Sequence, residues 1–271
     1  MNSIVVSGSF DNLRSRQVRF LQEASRLGEL EVLLWSDAVA QKFEGQQPKF
    51  PLEERLYMLS SLRYVSRVRP VERLDSPDVL PEQPDLRPQL WAVLEENPAK
   101  QDFCSRRGIE YHLIENSRLA GFPVLAEPTG QPSDQPKKIL VTGCFDWLHS
   151  GHVRFFEEVS QLGDLYVVVG HDQNVRLLKG DGHPLFGQDE RRYMVGAVRF
   201  VKAALISSGH GWMDAEPEVD LLRPDSYAVN EDGDKPEKRA FCAEHGLEYL
   251  VLKRLPKEGL PRRESTHLRG F

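Results

Sequence analysis

One stretch of this chain occurs twice. Residues 8–30 and 143–165, offset by 135, share 13 identities in 23 positions without a gap. Gly8/Gly143, Phe10/Phe145, Asp11/Asp146, Leu13/Leu148, Ser15/Ser150 and the run Val18-Arg19-Phe20/Val153-Arg154-Phe155 coincide. With one residue inserted, Glu54-Arg55 and Tyr57-Met58 fall on Glu190-Arg191 and Tyr193-Met194. Arg87-Pro88 then matches Arg223-Pro224, Phe103-Cys104 matches Phe241-Cys242, and Glu110-Tyr111 matches Glu248-Tyr249. A repeat this extensive means two copies of one fold, and 271 residues leave each copy enough chain to bury its own core.

The join falls in the Pro/Gly/Gln-rich stretch Ala126 to Pro136, which has no apolar period. The expected division is therefore a first domain over 1–125, a linker over 126–137 and a second domain over 138–271. In the second copy Ile139–Thr142 and Leu165–Val169 are short apolar runs, the pattern of strands buried on both faces. Helical spacing covers Val153–Leu162, Gln188–Val198 and Lys235–His245, with further strands at Val201–Ile206, Tyr227–Val229 and Tyr249–Leu252. Strand and helix alternate, so each copy should be an α/β domain with a parallel sheet flanked by helices. Such sheets bind ligands beyond the carboxyl ends of their strands.

Charge and composition narrow the function classes. With 35 Lys+Arg against 41 Asp+Glu the chain is acidic, which argues against a nucleic-acid partner. No window approaches about 18 consecutive apolar residues, so no membrane span is expected. The start, Met1 to Val6, lacks the basic and apolar regions of a signal peptide, and three cysteines do not make a disulfide framework. These features point to a cytoplasmic protein.

The chemistry is concentrated in the second copy, where seven of the eight histidines lie. Two of them stand in Gly143-Cys144-Phe145-Asp146-Trp147-Leu148-His149-Ser150-Gly151-His152, between the first strand and the first helix. A strand-to-helix turn offers backbone N–H groups and the positive end of a helix dipole, which together attract anions. Gly143 and Gly151 would let a phosphate approach the backbone. His149 and His152, three apart at the helix entrance, can both point at one phosphoryl group.

This stretch resembles the G-x-F-D-x-x-H-x-G-H signature of the cytidylyltransferase-like nucleotidyltransferases, whose fold is Rossmann-like. The resemblance continues through Leu162-Gly163-Asp164, Lys179-Gly180, Pro184 with Gln188–Arg191, and Arg263-Glu264-Ser265-Thr266-His267-Leu268-Arg269, and it spans 138–271. The tandem arrangement is similar to that of the phosphoethanolamine cytidylyltransferases. The resemblance implies two Rossmann-like domains and transfer of CMP from CTP to a phosphorylated alcohol or sugar, with release of pyrophosphate. An adenylyltransferase using ATP by the same mechanism is the alternative within the class. The nucleophile, a phosphate monoester, is already ionised at neutral pH, so catalysis reduces to positioning and charge neutralisation. His149, His152 and Lys179 are then the catalytic candidates. Gly143, Cys144, Phe145, Gly151, Arg191, Asn230, Asp232, Ser265, Thr266 and Arg269 are the nucleotide-binding candidates. Mg²⁺ or another divalent ion would travel with the triphosphate, held mainly by phosphate oxygens.

Bland readings stand beside these. Lys179 has a plainer reading as a solvated loop lysine, and Arg191 reads equally as an ion-pair partner of Glu190 or Asp189. Arg55 survives in the first copy, which favours a structural arginine. Asp146 is expected to brace its loop through backbone N–H groups, because Asp11 persists too. Glu264 puts a carboxylate where the family has a small residue. The acceptor pocket is expected among loops such as His210-Gly211-Trp212-Met213-Asp214. In the first copy His149, His152 and Gly151 are replaced by Arg14, Gln17 and Arg16. That copy is expected to be inactive and docked on the other as a pseudo-dimer, with a regulatory anion site as the alternative. A non-catalytic nucleotide-binding regulator is the rival from another class.

Overall fold

The computed structural model describes residues 2–124 and 137–268, and the linker around 126–136 and Arg269 lie outside them. The chain divides into two compact units, Met1–Gly121 and Phe122–Gly270. Phe122 belongs with the second: its ring lies 5.9 Å from Tyr193, and its carbonyl accepts from Arg192 Nη2 at 2.8 Å.

The first unit runs β1 (Ser3–Gly8), α1 (Ser15–Ser25), β2 (Glu29–Trp35), α2 (Asp37–Glu44), α3 (Leu52–Ser60), β3 (Arg67–Val71), β4 (Leu90–Val93), α4 (Pro98–Arg107) and β5 (Glu110–Leu113). Its sheet is parallel, in the order β3-β2-β1-β4-β5. The second runs β6 (Lys138–Gly143), α5 (Ser150–Ser160), β7 (Asp164–Val169), α6 (Asp172–Lys179), α7 (Gln188–Gly196), β8 (Val201–Ile206), α8 (Glu216–Leu222), β9 (Ser226–Asn230), α9 (Pro236–Glu244) and β10 (Glu248–Leu252). Its order, β8-β7-β6-β9-β10, reproduces the first, again with every pairing parallel. Each unit is thus an α/β fold in which the first strand is central and the chain crosses to one side and then the other. The reversal beside that strand opens a crevice at its carboxyl end. Among the described residues no helix is long and apolar enough to cross a membrane.

Local chemistry explains the elements. Ile139, Leu140 and Val141 on β6 and Leu165 to Val169 on β7 are buried, as strands covered on both faces require. Two short helices outside the expected elements, α6 and α8, complete the second unit. α6 forms because His171 Nδ1 accepts the Asn174 N–H at 3.3 Å and caps it, although Leu177 and Leu178 on it stay exposed.

The repeated Leu-Gly pair before β2 and β7 has a packing cause. A Cβ on Gly163 would stand 2.2 Å from the Lys137 carbonyl oxygen, and one on Gly28 2.2 Å from that of Asn2. The following amides, Asp164 N–H and Glu29 N–H, donate to those same carbonyls at 2.8 Å and start the pairing of β6 with β7 and of β1 with β2. Gly163→Ala should therefore cost about 1–3 kcal/mol through forced backbone displacement, read as a lowered midpoint in urea denaturation.

Candidate active site

The loop from β6 to α5 is built around its own aromatic ring. Phe145 takes a left-handed backbone conformation (φ 50°), as Phe10 does in the first unit (φ 47°). Its ring turns back over Gly143, where a Cβ would lie 2.8 Å away. That glycine therefore makes room for the chain's own phenyl group. At Gly151 a Cβ would crowd the His149 ring at 3.0 Å. His149 Nδ1 accepts the Gly151 N–H at 3.1 Å and caps α5. In the first unit Arg16 stands at this position and Arg14 takes the cap.

The cap sets the tautomer of His149. With Nδ1 accepting, the proton sits on Nε2, which is buried and meets no hydrogen-bond partner among the described residues. His152 stacks on it with ring centroids 3.9 Å apart and meets the Phe145 ring edge-on at 5.2 Å. Its Nδ1 is likewise buried and meets no hydrogen-bond partner among the described residues. Burial, then His152 and the guanidinium groups of Arg254 and Arg263, holds His149 far below the ordinary imidazole range. Burial, followed by Arg254 and Lys179, brings His152 down to about 3. Both rings are therefore neutral at physiological pH and act as hydrogen-bonding groups rather than cations.

His152 faces a cavity of about 230 Å³ at the carboxyl ends of β6 and β9. Gly143, Cys144, Phe145, Lys179, Asn230, Asp232 and Ser265 also line it. His149 is buried behind His152, and Gly151 serves the cap. Lys179 is the last residue of α6 rather than a loop lysine. Burial keeps Cys144 as the thiol by raising its pKa. Ser265 opens a short 3-10 turn, Ser265–Leu268, and donates its hydroxyl to the Trp147 carbonyl at 3.3 Å. Thr266 lies in that turn, while Arg269 falls outside the described residues. Glu264 is drawn toward Arg262, 3.8 Å from its Nε, and does not line the cavity.

Arg191 is a correction. It is 1% exposed and does not reach the cavity. Its Nε donates to the Phe186 carbonyl at 2.9 Å, Nη1 to Cys144 at 2.6 Å and Nη2 to Gly170 at 2.7 Å. Its carboxylate partner is Asp172 at 2.7 Å, neither Glu190 nor Asp189. Arg55 repeats the arrangement with the carbonyls of Phe50, Ser9 and Trp35 and with Asp37. Asp146 secures the same loop from its other side, accepting the N–H groups of Leu185 at 2.7 Å and Phe186 at 3.1 Å, as Asp11 does with Lys49 and Phe50.

None of the residues of the loop 210–214 lines this cavity. The loop is braced instead: the Asn174 side chain pairs with both the Gly211 carbonyl and N–H, and Asp214 accepts from Ser207. Sequence reasoning also passed over Trp147, Lys238 and Arg254. Trp147 and Lys238 line the cavity, with the Lys238 ammonium 5.9 Å from the centre of the Tyr227 ring. Arg254 pairs with Asp232 and donates to the Arg263 carbonyl at 3.2 Å, tying the loop after β9 to the segment before Ser265. A signal for Lys238 was present in the repeat, which keeps Lys100 at the matching position.

Comparison with known proteins fits this geometry. A family model described as cytidylyltransferase-like matches residues 140–215, within the second unit. The chain is 38% identical over 125 residues to FAD synthase of Aciduliprofundum boonei, covering 45% of this chain and 80% of that protein. It is 31% identical over 135 residues to FAD synthase of Methanocella paludicola, covering 49% and 93%. With the bifunctional protein HldE of Pelobacter propionicus it shares 36% identity over 97 residues, 35% of this chain and 20% of that one. The chain belongs to the cytidylyltransferase-like nucleotidyltransferase family, and it is an enzyme of that class.

Two outcomes follow from this geometry. Arg191→Met leaves Asp172 and three carbonyls without their donor and should cost about 3–5 kcal/mol, measured by chemical denaturation. The folded pKa values of His149 and His152 lie below the unfolded value, so their contribution to stability is complete above pH 6.5 and is lost as pH falls below it. Between pH 6.5 and 5.5 each should cost up to about 1 kcal/mol. The drop in melting temperature over that window should shrink in the His149→Ala/His152→Ala variant.

Proposed function

We propose that the second unit transfers the nucleoside monophosphate portion of a triphosphate to a small phosphate monoester and releases pyrophosphate. The observation that carries this reading is the stacked pair of uncharged histidines, His149 with a buried Nε2 that meets no partner among the described residues, beside a cavity lined by His152 and Lys179. The acceptor's phosphate oxygen attacks the α-phosphorus, the new P–O bond forms, and the bond to the β-phosphate breaks. No proton has to be removed from the nucleophile. His152, which lines the cavity, donates a hydrogen bond to the transferring group, in place before the reaction and strengthened as charge develops there, and His149, stacked behind it, fixes its ring. Lys179 supplies the positive charge between the α-phosphate and the acceptor. The turn Ser265–Leu268 receives the outer phosphates through Ser265 and Thr266. Asn230 and Asp232, the latter held by Arg254, face the base.

Mg²⁺ enters as the counterion of the triphosphate. The cavity's carboxylates are already engaged, Asp146 with two backbone amides and Asp232 with Arg254, which suits an ion carried by phosphate oxygens. ATP is the donor we favour, because two of the relatives are named FAD synthase and FAD contains an adenylyl half. CTP is the second reading, supported by the family's description. The first unit, with Arg14 and Gln17 in place of the histidines, carries no turnover.

Pyrophosphate release from ATP and from CTP across a panel of phosphate monoesters tests the reading. His152→Ala should lower the rate by on the order of 10²–10³ with an unchanged circular dichroism spectrum. No release with either nucleotide, or an unchanged rate in the variant, would sink the proposal.

A further inference from the structure

The first unit has a cleft of its own. It measures about 370 Å³ and lies at the carboxyl ends of β1 and β4, the place the second unit's cavity takes beside β6 and β9. The repeat allows the two to be compared position by position. The side that would meet a ring is kept: Phe20 stands for Phe155 and Ala92-Val93 for Ala228-Val229. Lys100 stands for Lys238, with its ammonium 5.2 Å from the centre of the Trp91 ring where Lys238 lies over Tyr227.

The side that faces phosphate in the proposed reaction is inverted. Gln17 replaces His152, and Glu44 replaces Lys179 at the C-terminus of the matching helix. Glu96 takes the place of Asp232, which faces the base in the proposed reaction, and Glu95 adjoins it on the rim. Among the described residues lining this cleft, Lys100 is the one basic side chain. A triphosphate would bring about four negative charges against these carboxylates, a repulsive arrangement. A sugar's vicinal hydroxyl groups, by contrast, donate well to carboxylates.

We infer that the cleft of the first unit binds a nucleoside lacking phosphates, its base against the apolar wall of Phe20 and Ala92-Val93 and its ribose hydroxyls on Glu95 and Glu96. This goes beyond the transferase reading and takes from it which positions face phosphate and which face the base.

The test is isothermal titration of cytidine, uridine, adenosine and guanosine, and of CTP and ATP with Mg²⁺, into the full chain carrying His149→Ala and His152→Ala. One nucleoside should bind with a stoichiometry of one, at least about tenfold more tightly than its triphosphate. Glu95→Ala/Glu96→Ala should weaken that binding by about tenfold or more. Glu44→Lys should bring the triphosphate to at least equal affinity. All three glutamates are exposed, so circular dichroism should be unchanged in these variants. Absence of nucleoside binding would overturn the inference. So would equal affinity for the triphosphate without Glu44→Lys, or binding indifferent to Glu95→Ala/Glu96→Ala. Failure of the transferase reading would show separately, as no pyrophosphate release from the unmodified protein.

Discussion

Arg191 underpins the whole site without touching the cavity. Its planar guanidinium joins the carbonyls of Cys144, Gly170 and Phe186, which belong to the ends of β6 and β7 and to the approach to α7. Strand ends leave such carbonyls without ladder partners, and burying them unpaired is costly. A rigid fork of donors answers three of them at once, which lysine cannot do. Asp146 works on the opposite polarity, taking two amides of the segment that Arg191 holds by its carbonyl. Between this cation and this anion the loop carrying His149 and His152 has little freedom left. The same pair, Arg55 and Asp11, stands in the first unit where the histidines are gone, so the brace is a property of the fold and not of the reaction.

A second consequence concerns charge. The histidines sit where burial and nearby arginines keep them neutral, and their unpaired nitrogens are aligned by one cap and one stack. A buried N–H without a partner is a cost that the fold carries until a ligand oxygen arrives. In the proposed reaction that oxygen belongs to the phosphate, and His152 needs no rearrangement to meet it. Formal charge is left to Lys179, at the C-terminus of α6, while the chain as a whole remains acidic.

Much of this was readable in advance, for definable reasons. Gapless identity between residues 8–30 and 143–165 reported the duplication, and the matching strand orders of the two sheets are the physical form of that identity. The apolar runs at 139–142 and 165–169 marked strands because strands covered on both faces have no polar side to show. α6 escaped, since it is only eight residues long, two of its leucines stay exposed, and it is held by the His171 cap and the Asn174–Gly211 clasp. Arg191 was named as a nucleotide-binding candidate although the repeat of Arg55 favoured a structural arginine; its partners Cys144 and Gly170 lie 47 and 21 residues away, and no local pattern reports carbonyls that only tertiary packing brings within reach.

Residue order and pattern alone are enough for the duplication, the alternating α/β plan and the family. They suffice because each is a local or periodic property that survives in one dimension. Which cationic side chain faces the cavity and which lies beneath it was decided by folding: Lys179 lines the wall while Arg191 is consumed by backbone. Folding also gave Gly143 and Gly151 their purpose, to admit the rings of Phe145 and His149. These are matters of distance between segments far apart in sequence, and such distances exist only once the sheet has brought its strand ends together.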